Sequence, residues 1–378
     1  MKIGIVCYPT YGGSGVVATE LGKSLAQQGH KVHFITYSQP SRLEYLNENL
    51  YYHKVDIRTY PLFKYPPYEL ALASKMVDVV EKEDLDLLHV HYAIPHASSA
   101  YMARQILRGK GKYVPFVTTL HGTDITLVGK DPSYEPVVSF SINESDAVTS
   151  VSDALKQETF EHFKVKNDIR VIPNFVDFNR FRKLKKDHFR RAISNDNERI
   201  LLHISNFRKV KRIPDIVKVF YEVRKQRPAK LLMVGDGPEH RHIENMCQEM
   251  GIFEDVRFLG KLEAIEEVLS VADVFMMPSE KESFGLAALE AMACEVPVIT
   301  SNSGGLPELN IQGETGFMSN VGDIDDMVRN TLHVLKEENL DTFKANALAR
   351  ANDFDLGKIR PMYEALYQEV LEKARALA

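Results

Sequence analysis

Cysteine is scarce: Cys7, Cys247 and Cys294 are the only three in 378 residues, widely spaced and odd in number. That excludes a disulfide framework and a cysteine-rich zinc site, and it points to a reducing compartment. Long apolar runs are missing as well. No stretch approaches the roughly 20 residues of a membrane span, and the first run, Ile3 to Cys7, breaks too soon for a secretory leader and reads as a first strand. We therefore expect a cytoplasmic protein without a membrane span. There is no basic excess: 47 Lys and Arg face 52 Asp and Glu, for a formal charge of -5. A nucleic-acid partner is not expected from such a balance. A Gly-x-x-x-x-Gly-Lys-Ser/Thr loop is also lacking, which disfavours an ATP-hydrolysing motor.

What remains is an ordinary globular composition, 44% hydrophobic and 26% charged, in a chain longer than one core usually supports. Two domains are the natural division, and two domains imply a cleft. Short apolar runs recur at Ile3 to Cys7, Val32 to Tyr37, Leu87 to His91, Phe116 to Leu120 and Ala147 to Val151. Helical patterns separate them, at Thr19 to Gln28, Tyr68 to Glu83 and Ala97 to Leu107. The alternation then restarts with strands at Ile200 to Ile204, Lys230 to Val234, Val256 to Leu259, Val274 to Met277 and Val298 to Thr300. This predicts an α/β chain of two doubly wound parallel-sheet, Rossmann-like domains. The first spans 1–175 and the second 176–355, with a C-terminal helix over 356–378 that is free to cross back to the first. The basic run Arg180 to Arg191 between them reads as a solvated linker. A homo-oligomer is compatible with this sequence, which carries no signal for its size.

Ligands of such sheets collect beyond the carboxyl ends of the strands, and the unusual residues fall there. After the fourth strand of the second half comes Glu282-Ser283-Phe284-Gly285-Leu286, opening a helix that carries Glu290 among Leu289, Ala291, Met292 and Ala293. A buried carboxylate costs several kcal/mol unless it is partnered, to the order of magnitude. Glu290 therefore has either a protein donor or a ligand hydroxyl pair. The free amides of the helix start, with Gly285 permitting close approach, read as a diphosphate seat. Four cations crowd Ser205-Asn206-Phe207-Arg208-Lys209-Val210-Lys211-Arg212, after the first strand of that half. They suit a diphosphate leaving group, or else form a solvated loop.

In the first half, Gly13-Ser14-Gly15-Val16-Val17-Ala18 fits the G-x-G-x-x-A dinucleotide fingerprint. The next strand, however, ends Ile35-Thr36-Tyr37-Ser38 without an acid for a ribose hydroxyl, so the loop reads as an approach for acceptor or phosphate. His121, before Gly122-Thr123-Asp124, meets a sugar ring or serves as a core or capping histidine. His89 and His91 share a strand face, but no further ligand follows at metal spacing, so no metal site is expected. Of the two Asp-x-Asp triplets, Asp84-Leu85-Asp86 leads into a strand and Asp323-Ile324-Asp325 opens a helix.

Taken together, the motifs resemble the retaining glycosyltransferases of the GT-B fold, family 4, over nearly the whole chain. The E-x7-E signature is Glu282 to Glu290. Beside it stand Gly12 to Gly15, His121 to Asp124, Val234-Gly235-Asp236-Gly237-Pro238 and Ser303-Gly304-Gly305-Leu306-Pro307-Glu308. One departure is Asn206, where the family usually has the first arginine of its two-cation diphosphate clamp; Lys211 matches the second cation, and Arg208 or Lys209 can compensate. The resemblance implies a catalytic set of His121, Lys211 and Glu282. It implies a donor set of Gly15, Arg208, Lys211, Gly235, Glu282, Ser283, Phe284, Gly285, Leu286 and Glu290. Acceptor candidates are Ser14, Tyr92, Thr118 and Asn206. No cofactor is implied and no metal is expected to be required.

Four stretches, Gly12 to Gly22, Phe63 to Tyr68, His91 to His96 and Ser205 to Arg212, are similar to the branch that glycosylates L-malate at the first step of bacillithiol biosynthesis. That similarity implies UDP-N-acetylglucosamine as donor and L-malate as acceptor, which nothing in composition or periodicity shows. The alternatives are the same donor with another small acceptor such as inositol phosphate, a UDP-N-acetylglucosamine epimerase, and a non-catalytic sugar-nucleotide sensor.

Overall fold

The computed structural model describes residues 1–10, 12–43, 47–57, 64–127 and 131–377. Phe63, which opens one of the four stretches above, lies outside the described residues. The chain divides into two compact units, one of Met1–Asn174 with Leu356–Ala378, the other of Phe175–Asp355.

The first unit carries β1 (Lys2–Val6), β2 (Lys31–Thr36), β3 (Leu50–Lys54), β4 (Leu87–His91), β5 (Phe116–Leu120), β6 (Ala147–Ser150) and β7 (Ile169–Val171). All pair in parallel, in the order β3-β2-β1-β4-β5-β6-β7. Its helices are α1 (Gly13–Gln27), α2 (Tyr68–Glu83), α3 (Ser98–Gly109), α4 (Glu135–Asn143) and α5 (Asp153–His162). β4 and β5 are buried along their whole length, as strands covered by helices on both faces must be. That is why their apolar runs stand out in the sequence.

The second unit carries β8 (Arg199–Ile204), β9 (Ala229–Val234), β10 (Val256–Gly260), β11 (Val274–Met277), β12 (Val298–Ser301) and β13 (Gly316–Ser319), ordered β10-β9-β8-β11-β12-β13. Its helices are α6 (Asp187–Ile193), α7 (Ile213–Gln226), α8 (His240–Glu249), α9 (Ile265–Leu269), α10 (Leu286–Ala293), α11 (Leu306–Leu309), α12 (Ile324–Val334) and α13 (Glu337–Ala351). Asp323 caps α12, its carboxylate accepting from the Asp326 amide at 3.0 Å, so the acids there serve a helix start. Asp84-Leu85-Asp86 does lead into β4, with Asp86 accepting from the Lys2 amide at 2.7 Å.

The last helix, α14 (Leu356–Leu377), packs on the first unit. Tyr367 donates to or accepts from His89 Nδ1 at 2.7 Å, Glu364 meets His30 at 2.9 Å, and Arg170 makes two bonds to Glu369 at 3.0 and 2.7 Å. None of the helices, among the described residues, is long and apolar enough to cross a membrane.

The basic run is corrected. Instead of a solvated linker, it is fastened to the second unit by acids on and beside α9: Arg180 to Glu266 at 3.3 Å, Lys186 to Glu267 at 2.8 Å and Arg190 to Asp273 at 2.8 Å. Arg182, Lys183, Lys185 and Arg191 of the run stay exposed. Part of the run is helical, as α6. The helix over Thr19 to Gln28 is also corrected: α1 begins at Gly13, so the glycine loop forms its first turns. The apolar period could not show this, because glycines carry no side chain to mark a face.

Candidate active site

Both sheets reverse their strand order once, between β1 and β4 in the first unit and between β8 and β11 in the second. Doubly wound sheets bind ligands outside the carboxyl ends of the strands at such a point. In each unit most of the residues singled out by sequence lie in loops at the carboxyl ends of these strands or of their neighbours β5 and β9.

In the second unit, Lys211 follows β8 and Glu282 follows β11. Lys211 Nζ donates to Glu282 Oε2 at 2.5 Å, with the two side chains 19% and 16% exposed. The backbone fixes the pair. Glu280 donates its amide to the Val210 carbonyl at 2.8 Å, tying the two loops together. From the other side, the Gly305 amide donates to the Glu282 carbonyl at 2.9 Å and Ser303 donates to the Glu280 carbonyl at 2.6 Å. Gly304 is required by this approach: a Cβ there would sit 2.0 Å from the Glu282 carbonyl oxygen, and its φ is +56°.

Gly285, at φ +99°, caps α10 in the left-handed region and turns the chain from the Glu282 loop into the helix. The first amides of α10, from Leu286 onward, thus lack helical acceptors, and the positive end of the macrodipole lies beside Glu282 and Lys211. Ser283 and Leu286 are partly exposed, whereas the Phe284 ring is 2% exposed and packs edge-on against Phe354 at 5.5 Å. Phe284 therefore anchors the loop and offers a ligand only its backbone. Glu290 is 5% exposed on α10, and its charge, after burial itself, helps push the Cys294 thiol up to about 12.

The cations after β8 divide. Arg212 binds Asp215 at 2.5 Å, and Lys211 binds Glu282, while Arg208, Lys209 and Asn206 are exposed. Gly235, at φ +118°, lets the loop after β9 pass so close that a Cβ would lie 1.8 Å from the Ser205 carbonyl oxygen. Its place is beneath the Asn206 to Lys211 loop, which it supports.

In the first unit, Ser14 lies in the first turn of α1 and Tyr92 follows β4. Tyr92 donates to Ser14 Oγ at 2.7 Å. Tyr92 holds φ +90°, uncommon for a bulky residue, and its amide donates to the Thr119 carbonyl at 2.9 Å. His121 joins them, its ring 5.4 Å from that of Tyr92 and its Nε2 2.8 Å from His91 Nδ1. Burial lowers His121 to about 3, and lowers His91 well below the ordinary range, so both rings are neutral near pH 7. One nitrogen of the pair then donates and the other accepts.

Gly15 is buried in the same turn; a Cβ would lie 2.5 Å from the carbonyl oxygens of Tyr8 and Thr10. Thr118 is a correction. It is fully buried in β5 and its hydroxyl is hydrogen-bonded to Ser145 at 2.8 Å, so no surface remains for an acceptor and the fold does not bring it to Ser14, Tyr92 and His121. Alternation along a strand covered on both faces put it inward.

Sequence reasoning left three neighbours without a role. Asp124, 2% exposed, accepts from the Ala93 amide at 2.9 Å and the Gly122 amide at 3.1 Å, clamping the loops after β4 and β5. Burial raises its carboxyl to about 6 against the opposing pull of those amides. His96 bonds the His91 carbonyl and packs tilted against Tyr8, ring centroids 4.6 Å apart. His91 orients His121. The histidine-rich run from His89 to His96 is the available signal; in the sequence, His89 and His91 read as a metal pair to be set aside and His91 to His96 only as part of the resemblance.

Two doubly wound parallel sheets, each presenting polar loops at its switch point, define a two-domain α/β scaffold with a ligand-binding crevice expected at each switch point. Residues 11–180 match the family described as Glycosyltransferase Family 4, and residues 185–350 the family described as Glycosyl transferases group 1. The chain belongs to the family 4 glycosyltransferases, with the GT-B fold. It is 48% identical, over 98% of its length and 97% of the relative's, to an N-acetyl-alpha-D-glucosaminyl L-malate synthase from Bacillus anthracis. An uncharacterized glycosyltransferase of Methanocaldococcus jannaschii is 30% identical over 82% of each chain. Among solved structures, a sucrose-phosphate synthase from Thermosynechococcus elongatus superposes with TM-score 0.82 at 22% identity, covering 99% of this chain and 100% of that one. Anabaena HepE in complex with UDP and glucose gives 0.81 at 19%, covering 97% and 99%. At those identities the likeness is one of fold.

Proposed function

We propose that this enzyme transfers N-acetylglucosamine from UDP-N-acetylglucosamine to the hydroxyl of L-malate, with retention at the anomeric carbon and release of UDP. The observation that carries the reading is the 48% identity with the Bacillus anthracis synthase across 98% of the chain. The geometry of the second unit supports the donor half. A lysine, an ordered loop and the start of α10 converge where a diphosphate needs cations and free amides.

In this reading Lys211 and the amides of Phe284 to Leu286 hold the diphosphate, with the exposed Arg208 supplying the second cation that Asn206 does not. Glu290 takes the ribose hydroxyls and Glu282 a sugar hydroxyl. Donor binding then loosens the Lys211–Glu282 pair: the phosphate replaces the carboxylate on Lys211, and Glu282 is released toward the sugar. Ser14 and Tyr92 bind malate. The neutral His121, oriented by His91, hydrogen-bonds a sugar hydroxyl without adding charge.

For retention we favour attack from the face the leaving group departs. The malate oxygen bonds to the anomeric carbon as the bond to the β-phosphate oxygen breaks, and that phosphate oxygen takes the hydroxyl proton. Negative charge grows on UDP, where Lys211 and the α10 start stabilise it. The test is the isolated product. Mass spectrometry should give one N-acetylhexosamine joined to one malate, and the anomeric proton coupling should report the α configuration of the donor. A β-linked product would overturn the retaining mechanism.

A further inference from the structure

Away from the switch point of the first sheet, three metal-ligating side chains come together from three elements. His33 on β2, His53 on β3 and Glu83 at the end of α2 each bring one ligand atom to within 4.8 Å of the other two. The parallel register places Ile35 opposite His53 and His33 opposite Tyr51, so the two histidines are diagonal neighbours on one sheet face. Their rings stack at 5.2 Å, and His33 Nδ1 lies 2.9 Å from His53 Nε2. His33 is 1% exposed, yet its Nε2 has no partner among the described residues.

We propose that His33, His53 and Glu83 form a site for one divalent transition-metal ion, zinc by ligand preference, which staples edge strand β3 to β2 and to the end of α2. Two imidazoles and a carboxylate are a ligand set that zinc takes, with a fourth position left to water. Zn–N bonds of about 2.05 Å at a tetrahedral angle place two ligating nitrogens about 3.3 Å apart. The observed 2.9 Å therefore needs to open by only a few tenths of an ångström when an ion replaces the proton shared by the rings. Glu83 and His53 are partly exposed, giving the ion a path from solvent.

The electrostatics are consistent with this. Burial lowers His33 to about 4 and lowers His53 as well, so both rings are unprotonated and ready to ligate at neutral pH. Glu83 acts on both rings in the sense that favours a cation, and Asp78 does so on His53. Lys2 and Lys31 oppose it at His33, and Lys75 and Lys82 at His53, although the latter two are paired with Asp78 at 3.4 and 2.7 Å. The edge strand has reason to be stapled: β3 is exposed at Tyr51, Tyr52 and Lys54 and pairs on one side only.

The test uses the full chain, stripped with EDTA and titrated with Zn²⁺ by calorimetry and with Co²⁺ by visible absorption. One equivalent should bind, Co²⁺ should develop the intense bands of a four-coordinate site, and Tm should rise with Zn²⁺ concentration. His53→Gln and Glu83→Gln, both at partly exposed positions, should fold and weaken that equivalent by more than about 100-fold, since even outer-shell partners are worth 10- to 100-fold. His121→Asn should leave it intact, which separates this cluster from the His91–His121 pair. The proposal is overturned if no equivalent binds, if both His53→Gln and Glu83→Gln bind as the parent does, or if His121→Asn abolishes binding.

Discussion

Replacing Lys211 with alanine should lower kcat/KM by about 100- to 1,000-fold, most of it in kcat, the range typical of removing one preorganised group that meets developing negative charge. Two effects add. In the proposed reaction the departing UDP would lose a cation placed by the loop after β8, and Glu282, 2.5 Å from Lys211 in the parent, would be left as an unpaired carboxylate beside the incoming phosphates. Steady-state kinetics with UDP-N-acetylglucosamine varied against fixed malate separate the cases. A rise in KM with kcat unchanged would mean that Lys211 serves ground-state binding alone. Folding should survive, because the pair is partly exposed and the loop is held by backbone bonds from Val210 and Gly305.

The second large effect is acid lability. Burial lowers His33, His96 and His203 to about 4, His89 and His121 to about 3, and His91 well below the ordinary range. The unfolded chain protonates these rings near pH 6.5, whereas the folded one holds them neutral. Their contribution to stability is therefore complete above pH 6.5 and is lost as pH falls toward 4, each ring contributing up to about 1.4 kcal/mol per pH unit. Asp124 works in the opposite sense: its carboxyl, raised to about 6, takes a proton in the folded state first and adds stability between about pH 6 and 4. Burial also lowers His53 and raises Glu69, so two carboxyls against seven rings leave a net loss of several kcal/mol per unit, a large share of the 5–15 kcal/mol typical of a folded domain. Calorimetry across pH 7.5 to 4 should show Tm falling steeply below pH 6.5, with the first unit, which holds six of the seven rings, failing first. A flat Tm down to pH 5 would contradict the neutral histidine cluster.

The interior of both sheets was legible because β1, β4, β5, β8, β9, β11 and β12 are buried deeply enough to read as apolar runs. The edge strands β3, β7 and β13 were not read: β3 has an exposed, polar pattern, β7 has three residues, and β13 begins at a glycine. Thr118 shows a second limit. A strand end before a suggestive loop looks like a site, but which face a position takes depends on strand phase and on the hydroxyl of Ser145, which lies 27 residues away. The E-x7-E segment was readable because a carboxylate in an apolar helix contradicts its surroundings. The Lys211–Glu282 pair was not, since the two residues are 71 apart and meet only through the switch-point topology. The same holds for His33, His53 and Glu83, which no local spacing joins.

The most direct test of the account is UDP release from UDP-N-acetylglucosamine in EDTA, measured with L-malate, with inositol phosphate and with no acceptor. Release confined to the malate arm is the predicted result, and it would also place the reaction outside any need for a loosely bound metal. Release with inositol phosphate and not malate would keep the fold and donor but contradict the acceptor, and isomerised donor without release would make the enzyme an epimerase.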